Sequence, residues 1–167
     1  MKGADKVLIL GVGNYLMGDE GVGVHAARYL ENEVDPLTTE VLDGGTAGFQ
    51  LMEYFEQFPT VILIDATLDD RPPGTIRLIE PRFAADFPHA MSTHEIGLKD
   101  LVESLTLLDR LPKIYLFVVS VQVIQPLSME LTKEVKSAIP KLTFEINKLL
   151  KSLVNVDISH REINILV

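Results

Sequence analysis

Cysteine and tryptophan are both absent from this chain of 167 residues. The lack of cysteine excludes a disulfide framework, thiolate zinc sites and a cysteine nucleophile. Any metal would have to be held by imidazole, carboxylate or backbone oxygen. Basic charge is scarce as well: 15 Lys and Arg face 24 Asp and Glu, for a formal net charge of −9. From residue 131 onward six Lys and Arg stand against four Asp and Glu, a balance of +2, so the first 130 residues carry −11. Such a surface repels a phosphate backbone and argues against a nucleic-acid partner. No apolar run approaches the ~18 residues of a membrane span, and the start at Met1-Lys2-Gly3 lacks the pattern of a signal peptide. The expectation is a protein of the cytoplasm with no membrane partner.

The chain is 47% hydrophobic and 23% charged, enough apolar material for one well-buried core. Strand-length apolar runs alternate with helix-period segments, which predicts an α/β three-layer sandwich around a mostly parallel five-stranded sheet, of the phosphorylase or hydrolase kind. Strands are expected at Lys6 to Leu10, Thr38 to Leu42, Val61 to Ile64 with Asp65 just beyond its end, Gly74 to Glu80, and within Lys113 to Ile124. Val22, Ala26, Tyr29 and Leu30 recur at helical spacing and mark a helix from about Asp19 to Glu33. A short helix follows Gly44-Gly45-Thr46-Ala47-Gly48, with Leu51, Phe55 and Phe58 on one face. Pro81 to Thr93 reads as a long irregular loop, functional or mobile. Leu98, Leu101, Val102, Leu105 and Leu108 form a helical stripe. Ser128 to Val154 reads as a helix that Pro140 should kink or divide. One domain, residues 1–154, is expected, with a tail at 155–167 that carries no assignment.

The glycine-rich turn from Gly11 to Gly23 lies between a strand and a helix, where a dinucleotide fold binds pyrophosphate. The fingerprint needs a third glycine where this chain has Leu16, and Asp19 and Glu20 would repel a phosphate while favouring a cation. Asp19 is read as a helix N-cap. Glu20 is either a first-turn acid favoured by the helix dipole or a functional carboxylate among glycines. Asp65, after a buried strand, lies where open α/β sheets place ligands, though it could equally cap a helix or accept from loop amides. Ser92 and Glu95 have capping-box spacing, so His94 falls in the first helical turn, which favours neutral imidazole. His25 and His160 are read as structural, and His89 as a distant second choice for a ligand. Glu20, Asp65 and His94 could meet in one crevice, a donor set suited to nickel, zinc or manganese.

These motifs resemble the hydrogenase maturation endopeptidases, which remove a C-terminal peptide from the large subunit of nickel-iron hydrogenases. The resemblance rests on Gly11-Val12-Gly13-Asn14 with Asp19-Glu20-Gly21-Val22-Gly23-Val24, on Leu42-Asp43-Gly44-Gly45-Thr46-Ala47-Gly48, on Ile64-Asp65-Ala66 and on His94-Glu95-Ile96-Gly97-Leu98. It spans roughly residues 7 to 125. It implies that Glu20, Asp65 and His94 are the metal-binding and catalytic trio, and that Asp43, Gly44, Gly45 and Thr46 line the substrate cleft. The implied metal is nickel of the substrate, bound transiently, with no organic cofactor. The implied partner is the hydrogenase large-subunit precursor, met by a monomer. Two other readings compete: a peptidyl-tRNA hydrolase, which shares the Gly-x-Gly-Asn start but for which the acidic surface is a poor match, and a non-catalytic, nickel-dependent docking factor.

Overall fold

The computed structural model describes residues 6–88 and 95–163, with side chains in the second stretch from 98 to 153. His89, Ser92 and His94 therefore lie outside the described residues, as does the side chain of His160. The strands are β1 (Val7–Val12), β2 (Thr39–Gly45), β3 (Thr60–Leu68), β4 (Ile76–Ile79) and β5 (Lys113–Val121). The helices are α1 (Val22–Leu30), α2 (Met52–Gln57), α3 (Glu95–Leu107) and α4 (Lys133–Ile163). The five strands form one sheet in the order β2-β1-β3-β5-β4, parallel throughout except for β4, which runs antiparallel to β5 on the edge.

Alternation along the strands divides the apolar residues between two layers, as period-2 geometry requires. Leu8, Leu10, Val12, Val61, Leu63, Ile114, Leu116 and Val118 join Phe55 and Leu101 on one side of the sheet, with α2 and α3. Ile9, Ile62, Ile64, Phe117, Val119 and Val121 join Val22, Ala26, Leu142 and Ile146 on the other, with α1 and α4. Strands covered on both faces are apolar at nearly every position, which explains why β3 and β5 read as continuous runs.

Local details depart from the sequence expectations for identifiable reasons. α1 begins at Val22 rather than Asp19, because Gly18–Gly21 forms a separate 3-10 turn. β3 runs on past Asp65, since β5 pairs with it from Asp65↔Val118 through Leu68↔Val121. β2 likewise extends through Asp43 and Gly44 to Gly45, and a 3-10 turn at Phe49–Leu51 leads into α2. The described part of the long loop holds a 3-10 turn at Ala84–Asp86 and is anchored by Phe87, which is buried in the α3 layer. Pro140 does not divide α4. It sits exposed on the helix, where water can satisfy the carbonyl that loses its intrahelical donor. α4 also crosses residue 154 and reaches Ile163, so no break separates the expected tail from the domain. Among the described residues, no helix is long and apolar enough to cross a membrane.

The position of α1 depends on a close backbone contact. A Cβ on Gly23 would fall inside van der Waals contact of the carbonyl oxygens of Ile64 and Val12, and one on Gly11 would collide with the Gly23 carbonyl. The close-packing role that the dinucleotide fingerprint gives to its third glycine is thus filled by Gly23, the second residue of the helix. Because α1 cannot move off both strands without losing its buried face, Gly23→Ala should lower unfolding stability by about 1–3 kcal/mol, measurable as a reduced urea midpoint at unchanged m-value.

A candidate active site at the switch between β1 and β3

The chain passes from β1 through α1 to β2 on one side, then through α2 to β3 on the other side of β1. The strand order therefore reverses between β1 and β3. In open α/β sheets, ligands bind in the crevice beyond the carboxyl ends at this switch point. The turn bearing Glu20 leaves the end of β1 and packs against β3, which bears Asp65. Both carboxylate residues are only 1% exposed. Asp65 Oδ1 accepts a hydrogen bond from the Ala66 amide at 2.7 Å. By strand alternation Asp65 shares its face with Leu63 and Val61, the side of the sheet that α3 covers.

Two further buried polar residues share that face. Thr67 follows Asp65 by two positions on β3, and its register partner on β5 is Ser120, also buried. Among the described residues, the Ser120 hydroxyl makes no hydrogen bond. Neither residue stands out in sequence, where each is one small polar side chain in an apolar run.

Asp19 is not a helix cap. Its carboxylate faces the connection between β5 and α4, where Oδ1 accepts from the Thr132 amide (2.7 Å) and Oδ2 from the Thr132 hydroxyl (2.8 Å). The Gln125 amide nitrogen donates more weakly to Oδ2 (3.4 Å), while the Asp19 backbone N–H donates to Gln125 Oε1 (2.9 Å). This clasp fixes the residue immediately before Glu20. Sequence reasoning missed Gln125 and Thr132, which lie 106 and 113 residues from Asp19 and carry no motif. Asp19→Ala should destabilise the fold by about 1–3 kcal/mol, because the half-buried Thr132 amide loses its charged acceptor, and Thr132→Val by about 1 kcal/mol or less. Chemical denaturation checks the order; equal losses would contradict the assigned geometry.

The Asp43-Gly44-Gly45-Thr46 segment borders the same turn through a hydrogen bond from the Gly13 amide to the Gly45 carbonyl (2.8 Å). Asp43 itself is exposed. Its Oδ2 lies 2.9 Å from a terminal nitrogen of Arg28 and 3.0 Å from Nε, and its Oδ1 accepts from the Gly45 amide (3.1 Å). Arg28 in turn lies over the Tyr15 ring at 4.1 Å, and Tyr15 packs against His25 with ring centroids 4.6 Å apart.

His25 is held below the usual histidine range, chiefly by burial and then by the nearby positive charge of Arg28 and Lys136, against the opposing effects of a Met129 backbone hydrogen bond and Asp19. A lowered folded-state pKa means the native protein favours neutral imidazole. This contribution to stability is complete above the unfolded value of 6.5 and is lost as pH falls through the folded value. Melting temperature should therefore drop more steeply between about pH 7 and pH 5 for the native sequence than for His25→Gln. Parallel curves would show that His25 does not titrate differently on folding.

Among the described residues no group of three His, Asp or Glu side chains is arranged to hold a metal; Glu20 and Asp65 are described and His94 is not. Fold and site define a doubly wound α/β protein with buried acid residues at its switch point. A family model described as "HycI: Hydrogenase maturation protease" matches residues 24–149, and the chain belongs to this family of peptide hydrolases. It is 35% identical to the hydrogenase 2 maturation protease of Escherichia coli over 111 residues, 65% of this chain and 68% of that one. It is also 35% identical to the hydrogenase expression/formation protein HupD of Bradyrhizobium diazoefficiens over 114 residues, 65% of this chain. That match spans 58% of HupD's length. The fold is similar to that of the hydrogenase maturating endopeptidase HybD from E. coli, with a TM-score of 0.80 and 31% identity over 88% of this chain and 93% of that one. It is similar too to the [NiFe] hydrogenase maturation protease HybD from Thermococcus kodakarensis, with a TM-score of 0.72 and 29% identity over 87% and 99% of the two chains. Membership of a protease family overturns the reading as a peptidyl-tRNA hydrolase.

Proposed function

We propose that this protein is an endopeptidase that removes a C-terminal peptide from the nickel-loaded large-subunit precursor of a nickel-iron hydrogenase. The observation that carries the reading is the burial of two carboxylate residues, Glu20 on the turn after β1 and Asp65 on β3 against which that turn packs, in a chain of the hydrogenase maturation protease family. In this reading Glu20, Asp65 and His94 supply oxygen and imidazole donors to the nickel that the substrate already carries, and the absence of thiolates leaves the metal's own ligands in place. Cleavage is then gated by metal loading. The bound ion can polarise the scissile carbonyl or activate water. The Asp43-Gly44-Gly45-Thr46 segment, bonded to the turn after β1, borders the path of the substrate chain. The protein acts as a cytoplasmic monomer and needs no organic cofactor.

The test incubates the protein with nickel-loaded and nickel-free precursor and records intact masses. Loss of a C-terminal peptide from the loaded form alone is expected. Glu20→Gln, Asp65→Asn and His94→Ala should each reduce processing by about a hundredfold or more at retained fold. Binding of the loaded precursor without any cleavage would instead favour a docking factor, and full activity in two of the three variants would dissolve the shared site.

A further inference from the structure

The two loops joined by the Asp19 clasp also bridge each other through their backbones. Met17 and Ser128 form an isolated parallel bridge, in which the Ser128 amide donates to the Leu16 carbonyl (3.0 Å) and the Gly18 amide to the Ser128 carbonyl (2.7 Å). Leu16 precedes the bridge on one segment, and Leu127 and Met129 flank it on the other. Leu16, Leu127 and Met129 are 53%, 94% and 57% exposed. Leu127 also holds φ at 58°, a left-handed conformation that a branched side chain rarely adopts. Neither the exposure nor the conformation of Leu127 helps the fold.

We propose that Leu16, Leu127 and Met129 form a platform that docks an apolar surface of the large-subunit precursor beside the cleavage site. The proposal rests on the function proposed above and identifies the surface through which that substrate is captured. Two observations select this occupant. The platform is continuous with the site: Leu16 stands four residues before Glu20, and the loop carrying Leu127 and Met129 is tied to Asp19 through Gln125 and Thr132. A partner seated there is thereby held in register with the crevice. Charge excludes the main rival, a second copy of this chain. Each copy carries a net charge of −9, and like net charge opposes association of two copies.

The experiment measures steady-state processing of nickel-loaded precursor by the wild type, by Leu127→Ser/Met129→Ser, by Leu16→Ser, and by Leu107→Ser as a control. Leu107 is 88% exposed and ends α3 six residues before β5 begins, toward the amino ends of the strands and away from the crevice beyond their carboxyl ends. All replaced side chains are solvent-exposed, and circular dichroism checks that the folds agree. The double variant should raise KM about tenfold with kcat within about twofold, and Leu16→Ser should act in the same direction. The control should behave as wild type. An unchanged KM in the double variant and in Leu16→Ser, while wild type processes the precursor, would overturn the platform and leave the proposed function standing. A wild type that cleaves neither precursor form would remove both. Sedimentation of a wild-type dimer that the double variant abolishes would assign the surface to self-association and overturn the proposal.

Discussion

The contact of Gly23 with the carbonyls of Ile64 and Val12, over Gly11, is the constraint on which the rest of this architecture depends. Main chain meets main chain there, with no side chain between α1 and the strands. The helix can then cover β1 and β3 together, and its apolar face of Val22, Ala26 and Leu30 closes one of the two cores. The same contact fixes where the preceding turn must lie. With α1 held against both strands, the Gly18–Gly21 turn that bears Glu20 packs against β3.

Charge in this protein has two physical roles. Most acid residues lie on the surface and set the net charge of −9, which acts at long range and depends on salt. Asp19, Glu20 and Asp65 are buried, where the same charge is screened far less and must be held by specific partners. Asp19 meets that requirement through Thr132 and Gln125 and thereby joins the turn after β1 to the segment that leads into α4. One buried carboxylate organises the backbone, and its neighbour in sequence, Glu20, is buried beside it.

Much of the fold was legible in the residues because burial on one or two faces leaves a periodic trace. Apolar runs at Val61 to Ile64 and Lys113 to Val121 marked the central strands, and spacing of Leu98, Leu101, Val102 and Leu105 marked α3. Glu20 and Asp65 were legible as candidates because carboxylates at element ends break that pattern. The extent of β3 was not: Asp65 to Leu68 are in a strand only because β5 pairs alongside them. Nor was the pairing of exposed Asp43 with Arg28.

What the sequence by itself determined is the layer architecture, the acidic character and the exclusion of thiol chemistry, since each follows from residue type and local spacing. Only the tertiary structure decided that Asp19 is a clasp rather than a cap, that Ser120 lies beside Thr67, and that Met17 bridges Ser128. Those are contacts between segments distant along the chain. They arise when the sheet assembles and brings loop ends together, and local propensity holds no record of which distant partner a side chain will meet.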